Sequence, residues 1–301
     1  MKEFEYVVDE NRFVCQIDPT IDGVRITGCR GTGTRLSLPE QVFRGEEMYV
    51  VREIGKKAFL GNRGLRSVEI PVSVRTIGDW AFAQCEQLEG VSGLARDVIF
   101  GNGVFMGSNH LEHIIIEETH IDDLSILLGT TIYKMPSEDL LRDSERGTTH
   151  WYQKWDQRLL SFLQEEDVEG YTDLVLCGEE DIQRSEPEYV SDKRRRKAGL
   201  CLCRLKWNCL LESEVEKIYR QYLLEHTKGS ESEEAWEYMI QEHGDDLEYY
   251  RLFAKVGCVR EDNIDAMIQD LGGEHAEAKS YLMQYKQEQF GTKDVFDQFL
   301  L

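Results

Sequence analysis

The chain has 301 residues, enough for two domains of ordinary size, and a hydrophobic fraction of 41% with 10% aromatic residues excludes a disordered chain. With 35 Lys+Arg against 57 Asp+Glu the net charge is -22, the wrong sign for nucleic acid or an anionic membrane surface. Residues 1–120 hold 13 basic and 18 acidic residues and the remainder 22 and 39, which implies two parts with different surfaces. The start, Met1 to Tyr6, lacks a signal-peptide pattern, and no apolar run reaches the roughly 18 residues of a membrane span. Eight scattered cysteines therefore read as reduced thiols in the cytoplasm; a leader removed from the natural chain would make the protein secreted or surface-bound instead.

In chain order, residues 4–17 alternate around Asn11 (Phe4, Tyr6, Val8; Phe13, Cys15, Ile17), which predicts a hairpin. Val24-Arg-Ile26, the turn from Gly28 to Gly33, Leu36-Ser-Leu-Pro39 and Tyr49-Val-Val51 follow as short extended pieces. From Ile54 a register of 23 residues begins. Ile54-Gly55 matches Ile77-Gly78 and Phe100-Gly101, and Ala58-Phe59 matches Ala81-Phe82 and Val104-Phe105. Asn62, Cys85 and Ser108 align, then Leu65, Leu88 and Leu111, then Val68, Val91 and Ile114. The Leu-x-x-Val-x-Ile piece alternates as a strand does, the Ala-Phe pair sits on the opposite turn, and stacked units share one core.

These motifs, Ile54-Gly-Lys-Lys-Ala-Phe59 and Ile70-Pro-Val-Ser-Val74 through Cys85 above all, resemble the BspA-type leucine-rich repeats of bacterial proteins. The third unit departs, with Val104 for Ala and Glu117 for Pro. The resemblance implies a solenoid of about three coils over 54–116, a lead-in segment and hairpin capping its open end, and binding in general, with no particular ligand. It also brings the alternative of an exported, adhesin-like surface protein.

After Asp123 the period stops. Residues 125–150, punctuated by Gly129, Pro136 and Gly147, read as a linker. From Trp151 the spacing is helical, with Trp155, Leu159, Phe162 and Leu163 on one face. The stretch Gly170 to Ile182 is ambiguous. Asp192 is the expected cap of a long helix carrying Leu200, Leu202, Leu205 and Leu210, and further helices are predicted at about 213–226, 232–243, 247–256, 261–271 and 274–289. Trp236-x-x-Met239-Ile240 and Ile264-x-x-Met267-Ile268 repeat at 28 residues, each followed by a second helix with Leu252-Phe253 or Tyr281-Leu282, which suggests ankyrin-like or other α-solenoid pairs. The predicted class is α+β multidomain: a leucine-rich repeat domain over 1–124 with its β cap, a linker over 125–150, and an all-α, helical-repeat-like region over 151–301.

Cys201, Cys203 and Cys209, with Cys177, form a poor zinc set, because positions 201 and 203 of one helix point apart; packing thiols are the simpler reading. His110, His113 and His120 fall near the last coil, with only His113 directed to the strand's open face. Cys15, Cys29 and Cys85 accompany no nucleophilic arrangement, and no phosphate loop, Gly-x-Ser-x-Gly or His-Glu-x-x-His occurs. The basic run Lys193 to Lys197 reads as a solvated helix start paired with carboxylates such as Glu186 and Glu188. The expected function is a non-enzymatic scaffold that binds a protein partner, without cofactor, metal or nucleic acid. Its contact ladder is Ser67, Glu69, Gly90, Ser92, His113 and Ile115, outward strand positions on successive rungs. An enzyme in the helical half would need a cleft of paired carboxylates near Asp167, Glu179 and Glu180.

Overall fold

A computed structural model describes residues 3–31, 33–117, 120–132, 134–135, 137–171 and 185–291. The chain forms two compact units, Met1–Arg158 and Leu159–Leu301.

In the first unit, β1 (Glu3–Val8) and β2 (Asn11–Asp18) make the expected hairpin, turning at Asp9, whose φ is 52°. β2 pairs antiparallel with β3 (Gly23–Arg30), burying Phe13 and Cys15 completely. Beyond β3 the pairing becomes parallel, through β6 (Glu47–Ile54) to β8 (Thr76–Ile77) and β10 (Ile99–Phe100). The short β5 (Gln41–Arg44) folds back on β6, completing a seven-stranded sheet. Arg25 ties three strands together, bonding Glu53 at 2.6 Å and Asp18 at 3.0 Å.

A second, four-stranded parallel sheet has the order β4 (Arg35–Ser37), β7 (Ser67–Glu69), β9 (Gly90–Leu94), β11 (His113–Ile116). Ser67 lies opposite Gly90 and Gly90 opposite His113, so one step of the 23-residue register is one step across the sheet. Val68, Val91 and Ile114 point between the sheets and are at most 1% exposed. Full burial of such a side chain contributes about 1.5–3 kcal/mol relative to exposure. On the opposite turn Phe59, Phe82 and Phe105 form a column, with centroids 4.8 and 5.7 Å apart. The small polar column also has a function: the Cys85 thiol donates to the Phe59 carbonyl at 3.3 Å, and the Ser108 hydroxyl to that of Phe82 at 2.9 Å.

Residues 125–150, read from sequence as a linker, carry two helices that pack on the end of this sheet pair. Helix α1 (Asp123–Thr130) starts at Asp122 with a reciprocal bond to Ser125. It lies so close to the edge of β11 that a Cβ at Gly129 would collide with the Glu112 carbonyl oxygen. Helix α2 (Glu138–Arg142) is followed by Arg146, only 5% exposed, which reaches back to the carbonyls of Arg96 and Val98 beside β10. Helix α3 (Thr149–Gln164) anchors both through its indoles: Trp151 donates to the Leu140 carbonyl at 2.9 Å and Trp155 to that of Leu127 at 3.2 Å.

The second unit is helical throughout its described residues beyond α3: α4 (Glu186–Lys206), α5 (Ser213–Glu225), α6 (Glu234–His243), α7 (Leu247–Val256), α8 (Ile264–Asp270) and α9 (Ala276–Phe290). Asp192 does not cap α4. The helix begins six residues earlier, where Ser185 and Glu188 bond reciprocally and Pro187 occupies the first turn. That box, S-x-x-E with an early Pro, is a start signal in its own right. Leu210 falls beyond the helix, 52% exposed and with φ of 55°. Trp236 and Met239 of α6 and Ile264 and Met267 of α8, the residues that recur 28 positions apart, are all buried. Among the described residues no helix is long and apolar enough to cross a membrane.

Candidate interaction surface

The outward face of the four-stranded sheet holds the predicted ladder, with unequal results at its six positions. Ser67 and Ser92 are half-buried and Glu69 is exposed, on adjacent rungs. Gly90 is covered: a Cβ there would collide with the imidazole of His113, which lies across it. His113 is half-buried, its Nδ1 makes no hydrogen bond, and burial holds its pKa below the ordinary value against the pull of Glu112 and Glu89. It is a neutral, packed side chain near pH 7.

Ile115 is buried, 8% exposed, in contrast to its expected outward phase. The ladder slips between Ile114 and Ile116, where β9 sets Ser92 and Gly93 against the single residue Ile115. Gly93, at φ of 79° and pressed on the Ile70 carbonyl, supplies the left-handed residue that such a bulge uses.

Ser67, Glu69 and Ser92 belong to one open cleft of about 770 Å³. Its other walls are the β4 segment from Arg35 to Pro39 and the β1–β2 turn from Val8 to Asn11. The Ser37 hydroxyl donates to Glu69 at 3.1 Å. Asp9, Glu10 and Glu69 make no ion pair with any described residue. Elsewhere on the repeats, carboxylates are matched across neighbouring rungs: Arg63 with Glu86 at 3.4 Å, Arg66 with Glu89 at 2.5 Å, and Arg75 with Asp97. The cleft thus gathers three carboxylates against the one guanidinium of Arg35.

Of the other sequence candidates, Cys15, Cys85, Cys201 and Cys203 are packed in the core. His110 Nδ1 sits 2.6 Å from the Glu86 carbonyl oxygen, and His120 is exposed. Burial pushes the Cys15 thiol up to about 12 and that of Cys85 to about 11, the behaviour of inert core thiols. Cys201 and Cys203 are buried in α4 and Cys209 is exposed, while Cys177, Glu179 and Glu180 lie outside the described residues.

The basic run does pair with carboxylates, though not with Glu186 and Glu188. Lys193 bonds Glu165 at 3.0 Å, Lys197 bonds Asp167 at 2.8 Å, and Arg194 bonds Asp167 at 2.6 Å. Lys193 and Lys197 also donate to backbone carbonyls of Glu166, Glu169 and Glu165, where α3 gives out. Asp167, one of the three residues near which an enzymatic cleft would have to lie, is therefore held by two cations. Burial raises its pKa, but the bonds from Lys197 and Arg194 outweigh that and leave it below the usual range. A depressed folded pKa stabilises above the unfolded value, and the contribution disappears as pH falls through the folded one. Asp167→Asn should cost about 1–3 kcal/mol at pH 7, and chemical unfolding at pH 7 and pH 2.5 should show that difference shrinking at the acid end. An equal difference at both pH values would remove the ion-pair account.

Residues 48–126 match the family described as BspA type leucine-rich repeat region, in six copies. This segment is a BspA-type repeat region. The chain is similar to a leucine rich cell surface protein of Faecalibacterium prausnitzii (27% identity over 38% of this chain and 33% of that one, TM-score 0.32). It is also similar to a leucine-rich repeat protein of Bacteroides capillosus (23%, 38% and 99%, TM-score 0.29). A third similarity is to a leucine-rich repeat protein of T. pallidum (27%, 35% and 61%, TM-score 0.27). The chain spans a third of the length of the first of these. No curated protein matches. Within the BspA-type region, Cys85 occupies a column whose hydroxyl and thiol groups bond the preceding turn, and Val104 replaces Ala where Phe105 closes the ring column.

Proposed function

We propose that the chain is a non-enzymatic protein-interaction module, in which a three-coil solenoid of BspA-type repeats presents its outward strand face to a protein partner. The observation that carries this reading is the gathering of Ser67, Glu69 and Ser92 into one open cleft whose carboxylates make no ion pair among the described residues. Unpaired polar groups on a rigid sheet are suited to recognition, since the scaffold holds them without an ordering cost. The helical half, as a stack of helix pairs, would add a second surface, and its acidic charge with that of the repeats speaks against nucleic acid. Cytoplasmic residence belongs to the same proposal and is checked by fractionating native cells.

The test uses the full chain as bait in native lysate, beside a Ser67→Arg/Ser92→Arg double variant of unchanged thermal stability. Recovery of a protein by the unsubstituted chain and at least a tenfold loss with the variant is expected. A partner retained equally by both would move the contact off this face.

A further inference from the structure

The four-stranded sheet is finished differently at its two ends. At β11 the edge is closed by α1, with Gly129 against the backbone of Glu112 and His113. At the other end β4 is the last strand, and the β1–β2 hairpin that would be expected to cover it belongs to the other sheet. Between β4 and that hairpin's turn lies the 770 Å³ cleft.

The ladder dictates what β4 shows to the cleft. Thr34 accepts from the Ser67 N–H at 3.2 Å, and the Leu38 N–H donates to Glu69 at 2.9 Å. In a parallel pair alternate residues bond to either side, so Leu36 also faces β7. The N–H and C=O groups of Arg35 and Ser37 then point away from the sheet. Both residues are exposed, and among the described residues β4 has no strand on that side. An unpaired edge of this kind is a template for another strand.

Charge selects what would fill it. Asp9, Glu10 and Glu69 line the cleft against the single guanidinium of Arg35, and none of the three carboxylates is ion-paired among the described residues. We infer that the free edge of β4 takes an extended segment of a protein partner by strand addition, a segment carrying Lys or Arg at alternate positions. Main-chain bonds to Arg35 and Ser37 supply the register, and the basic side chains meet Asp9, Glu10 and Glu69. This rests on the interaction reading above and adds to it the mode of contact and the chemistry of the partner.

The probe is an acetylated octapeptide alternating Lys with Val or Thr, titrated against the full chain and followed by fluorescence anisotropy. Two versions N-methylated at alternate backbone nitrogens, one in each register, test the main-chain bonds, and a Glu-for-Lys version tests charge. On the protein, Ser37→Pro deletes an edge N–H while sparing the bonds to β7, and Ser37→Ala retains it. Binding of the Lys peptide is expected. One N-methyl register and Ser37→Pro should each weaken it about tenfold, Ser37→Ala should change it little, and the Glu peptide should not bind.

Should Ser37→Pro fail to fold, amide exchange in the unsubstituted protein decides: saturating Lys peptide should slow the Arg35 and Ser37 amides at least tenfold. Unaltered exchange at both amides, equal binding by both N-methylated registers, or no binding of the Lys peptide would each overturn strand addition. If partner capture falls with Ser67→Arg/Ser92→Arg and survives Ser37→Pro, the interaction reading stands and the edge proposal fails alone.

Discussion

Phe82→Ala is expected to cost about 3–5 kcal/mol, the range for truncating a buried aromatic, and to lie in its upper half. Phe82 is fully buried and is the middle ring of a column, stacked at 4.8 Å on Phe59 with an interplanar angle of 1° and at 5.7 Å on Phe105. Aromatic contacts of this kind are worth about 0.5–1.5 kcal/mol beyond the area they bury, and Phe82 makes two within the column where Phe59 makes one. The void cannot be filled from the sides, because the turns above and below are joined backbone to backbone. Phe59 N–H donates to the Ala81 carbonyl at 2.8 Å, and Phe82 N–H to that of Val104 at 2.9 Å. Phe59→Ala, at the column's end, should cost less. Hydrogen exchange at the strand amides of Val68, Val91 and Ile114 measures both losses within Met1–Arg158. A Phe82→Ala cost below about 2 kcal/mol, outside that range, or a larger one for Phe59→Ala, would show that neighbouring repeats do not share a continuous core.

That column was readable in the sequence because each ring serves the same purpose at the same phase, and a period of 23 leaves its mark on every turn. The same holds for Val68, Val91 and Ile114, whose alignment became a row of one sheet. The bulge at Ile115 was less visible. A regular alternation placed Ile115 outward, whereas the glycine that breaks the alternation, Gly93, stands on the neighbouring strand and acts across the ladder. A glycine inside a strand pattern is a signal for such a slip, so the partner strand should have been read together with β11. Gly90 illustrates the same limit, since its cover is His113, 23 residues on.

The candidate cleft was half legible. Ser67, Glu69 and Ser92 share a strand phase, which a linear pattern reveals. Asp9 and Glu10 reach the cleft through a hairpin that joins the other sheet, a matter of topology without a local signature. Which carboxylates go unpaired is equally non-local, for it depends on whether the next rung supplies an arginine, as it does for Glu86 and Glu89. In the helical unit Asp192 looked like a cap because it precedes a run of cations. Those cations instead point at Glu165 and at Asp167, the latter a residue near which the sequence pattern places a possible carboxylate cleft.

The least legible element is the residue that ends the repeats. Along the seven-stranded sheet the carbonyl of Arg52 accepts from the Arg75 N–H at 2.8 Å, and the carbonyl of Arg75 from the Ile99 N–H at 2.9 Å. The next carbonyl in that series, Val98, has no further repeat to meet it. Arg146 stands in for the missing rung: its Nη2 donates to Val98 at 2.8 Å and Arg96 at 3.0 Å, and its Nη1 to Leu141 at 2.8 Å and Asp143 at 3.0 Å. The guanidinium lies 5.3 Å from the Phe100 ring centroid. Arg146→Met should therefore cost about 3–5 kcal/mol, as several buried acceptors lose their donor together. Arg146→Lys should recover part of this, because an ammonium cannot reproduce the planar fork. Since the acceptors are carbonyls, the loss should be the same at pH 5 and pH 8, unlike that of an ion pair with a titrating partner. Faster exchange should spread from α2 into β10. Confinement of the change to residues 138–158, with Ile99 and Phe100 unaffected, would mean that Arg146 holds only its own loop and that the repeats are terminated by something else.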